Sequence, residues 1–132
     1  MAYNTWPLMD GAIVPDGLTI MEPLWRNAFE NAKAVQFLHR MNGYLLWLVI
    51  LAHMIQCLGA LPSTTHARRS VLLFALVTLQ AAIGILTLLH QVQIHLALTH
   101  QGMALVLLGF AIAHWRGFIG AYPTEVEVEI RS

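Results

Sequence analysis

The residues with the most chemistry to offer in this chain are its seven histidines. Two of them sit in matched surroundings. His39 stands in Val35-Gln36-Phe37-Leu38-His39-Arg40-Met41-Asn42-Gly43-Tyr44, at the mouth of a long apolar run. His100 stands in Ile94-His95-Leu96-Ala97-Leu98-Thr99-His100-Gln101-Gly102, near the start of another. On a helix, the residue four positions on lies one turn away on the same face. That residue is Gly43 for His39 and Ala104 for His100. Two imidazoles from two helices, each with a small neighbour that leaves flat space, suit the axial positions of one haem iron. An ionisable group within an apolar span is a candidate functional group by default. Taken singly, each histidine could instead do no more than hydrogen-bond a neighbouring helix. Arg40, beside His39, can pair with a haem propionate or extend to the lipid headgroups.

A second pair repeats the spacing. His53 follows His39 by 14 residues and His114 follows His100 by 14. Fourteen helical residues cover ~21 Å. Two helices with this spacing could stack two haems, as in quinol oxidoreductases of the cytochrome b type. Against that, His114 abuts Trp115-Arg116 and suits a plain interfacial position. His66 falls in a polar stretch and is expected to be solvated. His90 and His95 are expected near a membrane surface, with contact to propionates or water as the alternative. Gln80, Thr78 and Thr87 read as interhelical hydrogen-bonding groups. The single cysteine, Cys57, permits no intramolecular disulfide and no CxxC metal motif.

The elements that must position these groups follow from composition. The chain of 132 residues is 58% hydrophobic and 11% charged, against roughly 25% charged in soluble domains. That deficit indicates a membrane protein. Net charge is zero and no basic run occurs, which removes the electrostatic basis for nucleic-acid binding. Residues 41–61 carry no charge, long enough for a ~30 Å hydrocarbon core. They define a first transmembrane helix starting at about Gln36 and closed by Pro62. Residues 62–70 read as a short loop, 71–89 as the second helix, and 94–115 as the third, ended by Arg116. The tight connection His90-Gln91-Val92-Gln93 makes the second and third helices antiparallel neighbours.

Before the first span, turn signals crowd residues 1–18, which do not read as a signal peptide. Residues 19–34 have the pattern of a short amphipathic helix, with Thr19 and Glu22 at capping-box spacing. The expected fold class is thus an all-α membrane protein. Three transmembrane helices, a partial four-helix haem-binding bundle, follow an extracytoplasmic loop with an interfacial helix. The expected divisions are 1–35 for loop and amphipathic helix, 36–116 for the transmembrane haem-binding domain, and 117–132 for a polar tail. In that tail, the alternation Glu125 to Ile130 leaves a short strand as the alternative. Arg68, Arg69 and Arg116 mark the cytoplasmic or matrix side, though Arg26, Lys33 and Arg40 opposite make the bias weak.

Four stretches also carry a resemblance. Tyr3-Asn4-Thr5-Trp6-Pro7-Leu8-Met9-Asp10-Gly11, Arg26-Asn27-Ala28-Phe29-Glu30-Asn31, Val35-Gln36-Phe37-Leu38-His39-Arg40 and Leu98-Thr99-His100-Gln101 occur in this order. Together they resemble haem A synthase, over about Ala2 to Arg116. The resemblance implies eight transmembrane helices in two pseudo-symmetric halves, each with a histidine pair. It implies oxidation of a ring methyl of haem O to the formyl group of haem A. The amino-terminal half is implied to hold the substrate haem and a catalytic carboxylate, and the carboxy-terminal half a haem b for electron transfer. This chain resembles the carboxy-terminal half, from the loop before the sixth helix through the eighth.

The resemblance therefore implies His39 and His100 as axial ligands of haem b, and assigns no catalytic residue here. It implies haem O as substrate in the missing amino-terminal half, with haem O synthase, an electron donor and membrane lipid as partners. The implied location is the bacterial inner membrane, or alternatively the mitochondrial one. Met1 is expected not to be the start of the complete enzyme. His53 and His114 lie outside the family motif, which weakens the second-haem reading. By itself this stretch is expected to bind haem weakly and to make no haem A. A transmembrane cytochrome b-like electron carrier, or a non-catalytic fragment, remains the alternative.

Overall fold

The computed structural model describes residues 3–121. Four α-helices follow in order: α1 (Asn27–Glu30), α2 (Ala32–Ala60), α3 (Thr65–Leu89) and α4 (Ile94–Arg116). A 3-10 turn at Leu24–Arg26 leads into α1, and π-type winding at Gly117–Ala121 follows α4. Among the described residues the one trace of β pairing is an isolated bridge between Met9 and Ala12. α2, α3 and α4 are each long and apolar enough to cross a membrane. The chain is an all-α membrane protein with three spanning helices.

Each span begins where a side chain satisfies free amide groups. The Asn31 side chain accepts from the backbone N–H of Lys33 and Ala34, which starts α2. Thr64 accepts from Ala67 N–H and starts α3. Between α3 and α4 the chain reverses over His90–Gln93, with Gln91 and Val92 both left-handed (φ 56° and 58°). The Val92 N–H closes that turn on the Thr87 carbonyl at 2.8 Å. A β-branched residue in this region is uncommon, and the brevity of the connection requires it.

α3 is the central helix, packed against α2 on one side and α4 on the other. A small apolar core, Ile50, Leu73, Val77 and Leu107, joins the three at mid-height. Trp47, Phe74 and Phe110 pack around it. Many other apolar side chains point outward, including Leu45 and Leu105. In a bilayer these need no protein partner, since lipid tails are as apolar as leucine.

Several expected boundaries shift. Residues 19–23 do not join an amphipathic helix; turns occupy them, and Asn31 divides α1 from α2. The divider is chemical. Asn31 Nδ2 donates to the Gly17 carbonyl while its Oδ1 caps α2, so its backbone cannot continue the helix. Leu24, Trp25 and Phe29 still form an exposed apolar face, as an interfacial segment requires. Residues 65–70, expected in a loop, form the first turns of α3. Gly117–Ala121 continues the winding beyond α4, with a kink at Ile119 and Gly120. The strand alternative at 125–130 lies outside the described residues.

Candidate functional site

His39 on α2 and His100 on α4 meet edge to face. Their ring centroids stand 6.3 Å apart with planes at 81°. An imidazole nitrogen binds a transition metal at about 2.0 Å, so two imidazoles on opposite sides of one metal place their centroids ~6 Å apart. The observed separation is of that size. The rings border a cavity of about 890 Å³ between α2 and α4, roofed by α3. Cofactor pockets run to about 300–1,000 Å³. Gly43, Ala104 and Arg40 line the same cavity, as do Gln80 and Gly84 from α3. Both histidines and their i+4 neighbours thus line one cavity, and no carboxylate lines it among the described residues.

Two α3 residues that sequence reasoning did not assign to this site shape it. Gly84 lies so close to His100 that a Cβ there would meet its Cε1 at 2.8 Å. Nothing comes within 4 Å of a Cβ placed on Gly43. The close approach is therefore at Gly84, whereas Gly43 borders open space. Gln80 holds α4 in register, its Nε2 donating to the His100 carbonyl at 3.0 Å. His100 Nδ1 is buried with no hydrogen-bond partner among the described residues. A buried unpaired imidazole nitrogen is costly, and metal ligation is one way to satisfy it. Glycine spacing could have flagged Gly84, but only with the register of α3 against α4 already known.

The amino-terminal loop closes this end of the bundle. Trp6 Nε1 donates to Tyr44 Oη at 3.0 Å, and Gln36 exchanges two hydrogen bonds with the Tyr3 backbone. Arg40 donates to the Tyr3 and Leu8 carbonyls at 2.7 and 3.3 Å. It thus anchors the loop, a role its position beside His39 did not suggest. Arg40 Nε is buried without a partner among the described residues and remains free to donate. Lys33 completes the fastening through Asp10, 2.8 Å away. In the connecting segment an ion pair of Arg26 with Glu30 raises the Arg26 pKa.

The second pair is built differently. His53 and His114 share a hydrogen bond, Nε2 to Nε2 at 2.8 Å. Two axial nitrogens of one haem would stand ~4 Å apart, so this pair as built leaves no room for a haem iron. Cys57 Sγ lies 3.5 Å from His53 Nε2. Phe118 packs against His53, His114 and His66, the last at 4.4 Å between centroids. His66 is thus half-buried in the first turn of α3 rather than solvated. The interhelical bonds expected of Thr78, Gln80 and Thr87 all form, to Trp47, His100 and Leu96.

A family model described as cytochrome oxidase assembly protein matches residues 1–112. The chain belongs to this family. Among curated relatives it is 64% identical over 132 residues to a protein of Sinorhizobium medicae named heme A synthase. It is 66% identical over 131 residues to the one of Rhizobium meliloti, and 59% over 131 to that of Agrobacterium fabrum. These alignments cover 99–100% of this chain and 36% of each relative. The chain therefore spans about a third of the length of the curated members of the cytochrome oxidase assembly family it matches. No solved structure matches it.

Proposed function

We propose that this stretch is the haem b-binding, carboxy-terminal part of a haem A synthase, with His39 and His100 as the axial ligands. The observation that carries the reading is the 6.3 Å ring separation across an open cavity. Gly43 and Ala104 supply clearance beside the ligands. Arg40 offers its buried Nε toward a propionate. A haem held by two imidazoles supplies single-electron transfer. The chain's own residues do the positioning: Gln80 fixes the backbone of His100, Gly84 admits its ring, and the Trp6–Tyr44 contact closes that end of the bundle.

In this reading, oxidation of the haem O ring methyl to a formyl group belongs to parts of the enzyme outside this stretch. Haem O, the haem O synthase that makes it and an electron donor are the proposed partners. The bacterial inner membrane is the proposed location, in keeping with the bacterial relatives. The test is a reduced-minus-oxidised spectrum with haem quantitation on the detergent-purified chain. One b-type haem is expected, lost in His39→Ala and in His100→Ala. Spectra unchanged by both substitutions would overturn the ligand assignment. Pigment extraction after incubation with haem O should recover no haem A.

A further inference from the structure

We propose that His53, Cys57 and His114 form a separate metal site selective for a monovalent soft cation, copper(I), at the end of the bundle remote from the haem cavity. His53 and Cys57 are one helical turn apart on α2, and His114 approaches from α4. Their donor atoms all lie within 4.8 Å of one another. None of the three borders the cavity, and the Ile50–Leu107 core stands between. The site does not depend on the haem reading.

The geometry favours a bent centre over a linear one. With metal bonds of about 2.0 Å to nitrogen and 2.3 Å to sulfur, two nitrogens on one ion stand ~3.3 Å apart, and a nitrogen and a sulfur ~3.5 Å. The nitrogen–sulfur distance here is already 3.5 Å. The two nitrogens, at 2.8 Å, need only part by a fraction of an ångström. Cys57 and His114 are 5% and 3% exposed, and His114 Nδ1 is buried with no partner among the described residues.

Charge and ligand type select the ion. A thiolate with two imidazoles is a soft donor set of the kind that binds copper. Three donors suffice for copper(I), whereas structural zinc takes four. One copper(I) with one thiolate is neutral, which a buried membrane site tolerates. A divalent ion would leave a net positive charge there. On binding, copper(I) replaces the Cys57 thiol proton, so one proton leaves for each ion bound.

The test uses the purified chain in detergent under anaerobic conditions, titrated with copper(I) buffered by a colorimetric chelator. One copper(I) per chain is expected, with affinity lowered roughly 100-fold or more by Cys57→Ser or His114→Gln. His39→Ala and His100→Ala should bind copper(I) as the parent does. Because the chain has one cysteine, the ultraviolet thiolate-to-copper(I) charge-transfer band of the unsubstituted protein reads this site alone. The band should saturate at one copper(I) per chain and persist with equimolar zinc(II), a readout that needs no variant to fold. Failure to take copper(I) from the chelator, uptake unaffected by Cys57→Ser, or loss of the band to equimolar zinc(II) would each overturn the proposal.

Discussion

The two histidine pairs differ by what lies beside them. His39–His100 and His53–His114 both bridge α2 and α4, with the same 14-residue spacing on each helix. At the level of the amino-terminal loop the rings stand 6.3 Å apart beside a cavity. At the other level they stand 5.1 Å apart, joined nitrogen to nitrogen and covered by Phe118. In the first pair Gly84 admits the His100 ring, and Gly43 and Ala104 line the same cavity. The second pair has a thiol and an aromatic ring as neighbours. Equal spacing makes two pairs, and the residues around them decide whether a porphyrin or a smaller centre fits.

The largest effect expected is on haem. Loss of groups that merely support a metal ligand lowers affinity about 10–100-fold, and removal of the ligand itself should exceed that. His39→Ala or His100→Ala should therefore abolish the haem absorbance of the purified chain, while His53→Ala leaves it in place. If His53→Ala and His100→Ala removed haem equally, the contrast between the two levels would fail.

Gly84→Ala sharpens the same contrast. Its new methyl would meet His100 at 2.8 Å, so the ring must move. Overpacking of this kind costs about 1–3 kcal/mol, and the displaced ring should cost haem affinity as well. Gly43→Ala meets no protein atom, so its effect should appear only when haem is bound. Thermal unfolding of the two variants with and without haem separates these outcomes.

How much of this was legible in the sequence follows from which forces were local. The three spans and the pairing of His39 with His100 were readable, because charge deficit and helical period act along the chain. Gly43 and Ala104 were found by the same i+4 rule. Gly84 was not, since its importance depends on the register of α3 against α4. The grouping of His66 with Phe118 was missed for a related reason. Proline and polar residues at 62–66 suggested a loop, but Thr64 caps a helix there and turns His66 inward. The break at Asn31 was hidden because its partner, Gly17, is 14 residues away.

Arg40→Ala tests the closure by the amino-terminal loop. The Tyr3 and Leu8 carbonyls would each lose one of two donors, keeping Gln36 and Thr5 respectively. Hydrogen bonds from charged groups contribute about 1.5–3 kcal/mol each, less where water can substitute. The loop should become more susceptible to limited proteolysis, with the spans intact. Arg40→Lys should restore the loop in part, since an ammonium cannot reproduce the guanidinium fork. Protease sensitivity equal to the parent in Arg40→Ala would show that the remaining contacts hold the loop.

The smallest expected effect is at the second pair without metal. His53→Gln removes the interhelical hydrogen bond of the histidine pair, and such bonds within membranes average about 0.6 kcal/mol. The metal-free chain should therefore unfold within a degree or two of the parent, with haem absorbance unchanged. The same variant lacks one of three proposed copper ligands, and copper(I) should stabilise the parent far more than it stabilises this variant. A large loss of stability without metal would instead make the His53–His114 bond a principal tie between α2 and α4, and the two levels would then differ in strength as well as in chemistry.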